Sequence, residues 1–120
     1  MDRDPRAFLF DIKQACEDIG GFVREMNLEE YSSDPLVKAA VERKFVVIGE
    51  AMTRLKGEYP EILNGITDHE RIIGFRNVLV HGYDVVDDAT VWSAIKDSMP
   101  ILRREVEDML SKGPQDTADG

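Results

Sequence analysis

Arg76, Asn77, His81 and Tyr83 lie together in the run Arg-Asn-Val-Leu-Val-His-Gly-Tyr. An arginine keeps its charge at every accessible pH and presents a planar fork of donors that fits phosphate oxygens. Histidine is the side chain whose ordinary ionisation lies nearest neutrality, so it can take or give a proton at physiological pH. Together they suit metal-free cleavage of a phosphodiester, with His81 as general base or acid and Arg76 set against the charge that builds on phosphorus. Asn77, four residues before His81, shares its helical face and can orient the ring or touch substrate. Tyr83 adds a phenol two residues past the histidine.

One helix does not bring Arg76 and His81 together, because at about 100° per residue they point roughly 140° apart. Gly82 follows His81 as a glycine follows a helix end, which makes His81 the last helical residue and Tyr83 the first to fold back. A second copy of the helix, facing the first across a two-fold axis, brings the arginine of one protomer toward the histidine of its partner. The spacing therefore predicts a homodimer.

The elements that must hold this run read as helices throughout. Asp4-Pro5 is a cap followed by proline in the first turn, and Phe8, Ile12, Ala15, Ile19, Phe22 and Met26 then form one stripe that Gly20-Gly21 can bend. Asp34-Pro35 repeats the start signal, with Val37, Ala40, Lys44, Val47, Ala51 and Leu55 as the next stripe. The unbroken Phe45-Val46-Val47-Ile48 is wider than a stripe, so this helix is expected to bury two faces, one in its own core and one, across Phe45 to Met52, against a partner. Glu50 within it reads as half of an ordinary ion pair with Arg54, one turn on.

Tyr59-Pro60 and Asn64-Gly65 punctuate a loop. Thr67-Asp68-His69-Glu70 has the form of a capping box and opens a third helix that ends near His81. Asp87 or Asp88 caps the fourth, which carries Val91, Ile95, Ile101 and Leu102 and should kink or split at Pro100. No strand pattern competes. The expected fold is an all-α, up-and-down four-helix bundle over residues 1–112, with a disordered tail at 113–120 that has nothing to bury.

A chain of 120 residues is one domain and needs no disulfide or metal staple. Its single cysteine, Cys16, reads as a small buried hydrophobe in a reducing compartment. With no membrane span or signal-type core, a cytoplasmic protein is expected. A formal charge of -9 excludes a broad basic surface for long nucleic acid, while leaving room for a small local basic site. The two histidines stand outside any ligand-spaced cluster and no Gly-rich phosphate loop is present, so neither metal nor cofactor is expected.

Arg-x-x-x-x-His-x-Tyr, written here as Arg76, His81 and Tyr83, resembles the signature of HEPN-superfamily toxins, specifically the HepT-like branch. Ile48-Gly49-Glu50-Ala51 is similar to that branch's second helix, and Val86-Asp87 with Val91-Trp92 to the start of its last. Many members carry Pro-Trp just before the motif helix, where this chain has Ile66-Thr67-Asp68-His69. The resemblance implies the toxin of a toxin–antitoxin pair, an endoribonuclease with Arg76 and His81 as its catalytic residues. It also implies a minimal nucleotidyltransferase antitoxin that places AMP on Tyr83, where the added charge and bulk would occupy the substrate phosphate's place. A competing reading is a non-catalytic helical partner that presents a substrate to a nucleotidyltransferase.

Overall fold

The computed structural model describes the backbone of residues 3–82 and 86–119 and the side chains of 3–82 and 86–112. Expectations for Tyr83 and for the tail at 113–120 fall outside the described side chains. The described elements are α1 (Pro5–Phe22), α2 (Leu28–Ser32), α3 (Pro35–Glu58), α4 (Pro60–Leu63), α5 (His69–His81), α6 (Asp88–Ser93) and α7 (Met99–Asp119), the last two joined by a π-helical turn at Ala94–Ser98. Among the described residues there is no strand, and the protein is an all-α bundle.

Helix starts follow the expected chemistry at three places. The Asp4 carboxylate accepts the Arg6 N–H at 2.8 Å, Asp34 accepts that of Val37 at 3.1 Å, and Asp87 accepts that of Ala89 at 3.0 Å. Each satisfies a donor that the first turn leaves without an intrahelical partner. A reciprocal box between Asn27 and Glu30, with bonds of 2.9 and 2.8 Å, opens α2, an element too short to show a periodicity.

At α5 the expected box does not form. Asp68 occupies the cap position at φ 56° with no side-chain capping bond. Thr67 instead gives both its backbone N–H and its hydroxyl to Glu105 of α7, at 2.9 and 2.6 Å. An ionised carboxylate is the stronger acceptor, so the threonine ties the entry of α5 to α7 rather than capping its own helix.

At Pro100 the last helix is not broken: α6 passes through a π-helical turn at Ala94–Ser98 into α7, which begins at Met99. The proline has no N–H to return to the carbonyl four residues back, and its ring would crowd that carbonyl. The turn over Ala94–Ser98 widens to π geometry just before it, and the helical path continues into α7.

In the core, α1 packs against both α3 and α7, while α5 packs chiefly on α3. Phe8, Ile12 and Ile19 of α1 meet Val41, Ile48, Met52 and Leu55 of α3 and Val106 of α7 within one cluster. The buried face of α3 is rotated from the expected stripe. Val41, Phe45, Ile48, Met52 and Leu55 are buried with Ala51, whereas Lys44 sits at the margin and reaches Asp18 of α1 at 3.0 Å. Burying phenylalanine, isoleucine and methionine removes more apolar area from water than burying Val37 and Ala40, and the larger side chains win. Phe22 ends α1 at 38% exposed, outside the stripe assigned to it, and Cys16 takes a core position.

Burial pushes the Cys16 thiol up to about 12, outweighing the opposing pull of the Arg103 cation, with Glu17 adding to the rise. In the native protein at pH 8, a disulfide reagent should label Cys16 only as fast as the chain opens, with full labelling on adding denaturant. Rapid labelling of the folded protein would contradict this packing.

Candidate active site

The site begins with a glycine. At Gly49 a Cβ would overlap the Cβ and Cγ of Arg76, so α3 and α5 approach closely enough for the arginine stem to lie against the α3 backbone. Packing sets the position of Arg76, since its Nε is buried without an acceptor among the described residues. The other end of the guanidinium is held by side chains: Nη1 donates to Asn77 Oδ1 at 3.0 Å and Nη2 to Glu50 Oε2 at 3.4 Å.

The Glu50 pairing differs from the expected one. Arg54 turns to Glu58 at 3.2 Å, one turn further along α3, and leaves Glu50 to Arg76 of α5. The Gly49 crossing brings Arg76 beside the neighbouring Glu50. That carboxylate is half exposed and its contact is long. Such pairs contribute about 0–1 kcal/mol, so a phosphate oxygen can take the same donor at little cost.

Asn77 is exposed and bonds Arg76, and among the described residues no bond joins it to His81. It therefore orients the arginine in this structure. His81 is the last residue of α5, exposed and without a hydrogen-bond partner among the described residues. Gly82 closes the helix with its N–H on the Val78 carbonyl at 2.7 Å, at φ -129° rather than in the left-handed conformation expected of a helix-ending glycine. Within one protomer Arg76 faces α3 and His81 faces outward, and no hydrogen bond joins them.

α5 is unlike the other long helices. Leu79 is its one buried residue, with Ile72, Ile73 and Phe75 partly covered, and Val78 and Val80 each remain 41% exposed. Its outer face is unpartnered among the described residues.

Arg76, Asn77 and Glu50 border a groove of about 600 Å³ that continues past Arg54 to Arg3. The sequence does not pair those two arginines, because Arg54 reaches the Phe8 ring, which Arg3 also covers, from 46 residues further along the chain. A more apolar cleft of about 420 Å³, between α5 and the π-helical turn, is lined by residues such as Phe75 and Ile101 and includes none of Arg76, Asn77 and His81. Among the described residues no group of His, Cys, Asp and Glu is placed to hold a metal ion, and no helix is long and apolar enough to cross a membrane.

The model of a family described as "Ribonuclease HepT-like" matches residues 12–109. The chain is 35% identical over 112 residues to a Methanocaldococcus jannaschii protein named "Putative RNase MJ0125", covering 90% of this chain and 92% of that one. A second protein of that organism, "Putative RNase MJ1380", is 30% identical over 105 residues, 88% of this chain and 95% of its own length. In Thermococcus cleftensis, "Probable ribonuclease HepT" is 31% identical over 107 residues, 89% of this chain and 96% of that one. No solved structure matches the chain.

Gly49→Ala should shift α5 and with it Arg76, because the added methyl meets the stem of a side chain packed on backbone. Overpacking of this kind costs about 1–3 kcal/mol, and the urea midpoint should fall accordingly. An unchanged midpoint would show that the crossing tolerates a side chain.

Proposed function

The chain belongs to the HepT-like ribonuclease family of the HEPN superfamily, and from that premise we propose that it is a metal-independent endoribonuclease whose site is shared between two copies. The observation that carries this reading is the guanidinium of Arg76, fixed by the Gly49 crossing and, among the described residues, paired with no carboxylate but the half-exposed Glu50 at a long 3.4 Å. His81 takes the proton of a ribose 2′-hydroxyl, whose oxygen attacks the adjacent phosphorus. The bond to the 5′-oxygen of the next nucleotide breaks, that oxygen is protonated, and a 2′,3′-cyclic phosphate remains. Arg76 stabilises the charge on the phosphorane.

An internal nucleophile makes a metal dispensable and DNA inert, and unpaired RNA enters a groove that a duplex cannot. The unpartnered face of α5, with Val78 and Val80, supports a two-fold contact that sets the arginine of one protomer near the histidine of the other. Part of the α3 stretch expected to join that contact is committed elsewhere: Phe45, Ile48 and Met52 lie in the protomer core, and Val46, Val47 and Glu50 remain nearer the surface.

We assign the protein as the toxin of a pair whose antitoxin, a minimal nucleotidyltransferase, transfers AMP to Tyr83. Of the other tyrosines, Tyr31 is 0% exposed within α2, which removes it as an acceptor. The Tyr59 hydroxyl donates to the Arg3 carbonyl at 2.9 Å.

His81→Ala and Arg76→Ala should each lower RNA cleavage by at least about 100-fold while the circular dichroism stays that of the folded protein. Cleavage should persist in chelator. Full activity in either variant, or loss with chelator, would remove the mechanism. With purified antitoxin and labelled ATP, incorporation into the protein should vanish in Tyr83→Phe, and undiminished labelling would sink the regulatory assignment alone.

A further inference from the structure

The groove that starts at Arg76 ends on an unusual pair of cations. The Cζ of Arg3 lies 4.7 Å from the centroid of the Phe8 ring and that of Arg54 lies 5.4 Å from the same centroid. Both distances fall within the range of cation–π attraction. Phe8 is 2% exposed, so its ring is fixed in the core and positions both guanidiniums from below. The segment bearing Arg3 is tied down as well, since its carbonyl accepts the Tyr59 hydroxyl at the end of α3.

Each of these guanidiniums spends little of its donor capacity on the protein. Arg3 bonds Asp11 at 3.1 Å and Arg54 bonds Glu58 at 3.2 Å, and the side chains remain 49% and 56% exposed. A guanidinium carries five N–H donors, so several on each remain for a ligand. In a chain of net charge -9, the groove lining sets Arg3, Arg54 and Arg76 against Asp11 and Glu50. Planar cations ordered at a groove wall, with free donors at their edges, suit an unpaired nucleotide, whose base stacks on the guanidinium while its phosphate accepts from the edge.

We propose that Arg54 and Arg3, ordered on Phe8, form a subsite that binds the nucleotide neighbouring the one whose phosphate Arg76 holds, so that single-stranded RNA runs along the groove from α5 toward the start of α1. The inference rests on the ribonuclease reading of the same groove. It adds the direction the strand takes and the residues that hold it away from the cleaved bond. Continuity of the lining from Arg76 to Arg3 favours one extended RNA ligand over an acidic segment of another protein.

The test uses the full-length protein and a short single-stranded 2′-O-methyl RNA, which cannot supply the attacking hydroxyl, with binding followed by fluorescence anisotropy over a range of salt. Arg54→Ala should weaken binding about tenfold, as loss of one stacking contact does. The slope of log affinity against log salt should fall by about 0.7 if its charge meets one phosphate. Arg54→Lys should restore the salt slope but only part of the affinity, because it returns the charge without the plane. Arg3→Ala should act in the same direction, and Arg24→Ala, at an exposed arginine outside the groove, should change nothing. Affinity within twofold of wild type in both Arg54→Ala and Arg3→Ala, with RNA still cleaved, would overturn the subsite and leave the ribonuclease reading standing. Loss of antitoxin binding instead of RNA binding in Arg54→Ala would also overturn it. A wild-type protein that neither binds this RNA nor cleaves an unmodified one would overturn the reading beneath it.

Discussion

Where α3 and α5 cross, Gly49 leaves the α3 backbone bare and the stem of Arg76 fills the space that a side chain would take. The position of the guanidinium, its reach to Glu50 and the outward turn of His81 all follow from that contact. α5 has little else to hold it. A thirteen-residue helix is marginal by itself in water, and this one buries Leu79 alone. Its order comes from lying on α3, so a change at the crossing is felt at the guanidinium before it is felt in the core.

The remaining supports of α5 act at its entry. Thr67 gives two bonds to Glu105 and thereby fastens the residue before α5 to α7, while α7 itself is anchored on α1. The π-helical turn keeps the chain from α6 to α7 continuous despite Pro100, so that Glu105 arrives where Thr67 needs it. Arg76 is thus braced from beneath by packing, and the loop before α5 is braced by a charged acceptor. His81 lies at the free end, where the described protein offers it no partner. The proposed shared site completes this histidine, left exposed at a helix end beside exposed valines, with the arginine of a second copy.

Much of this was readable in the sequence where the controlling partner lies within a few residues. The caps at Asp4, Asp34 and Asp87, and the end of the motif helix at His81, are local, and the structure has them where the sequence puts them. What was not readable depends on distant residues. Thr67 looks like a cap until Glu105, 38 residues on, competes for it. Glu50 looks like the partner of Arg54 until a residue 26 positions later arrives by way of Gly49. The face of α3 could not be phased from a run of four apolar residues, since packing against α1 selects the largest of them. That Arg54 and Arg3 belong together carries no local signal, because the buried ring of Phe8 joins an arginine five residues before it to one 46 residues after it.

The central claim is that the arginine and the histidine of one catalytic site come from two copies of the chain. It is tested most directly by unfolding and refolding Arg76→Ala and His81→Ala proteins together and assaying the mixture. If the site is shared, each mixed dimer has one complete site, and activity should return to about a quarter of the wild-type level under random pairing in a two-fold dimer. If mixed dimers form and activity does not rise above that of the separate variants, each protomer uses its own pair and the shared site is wrong.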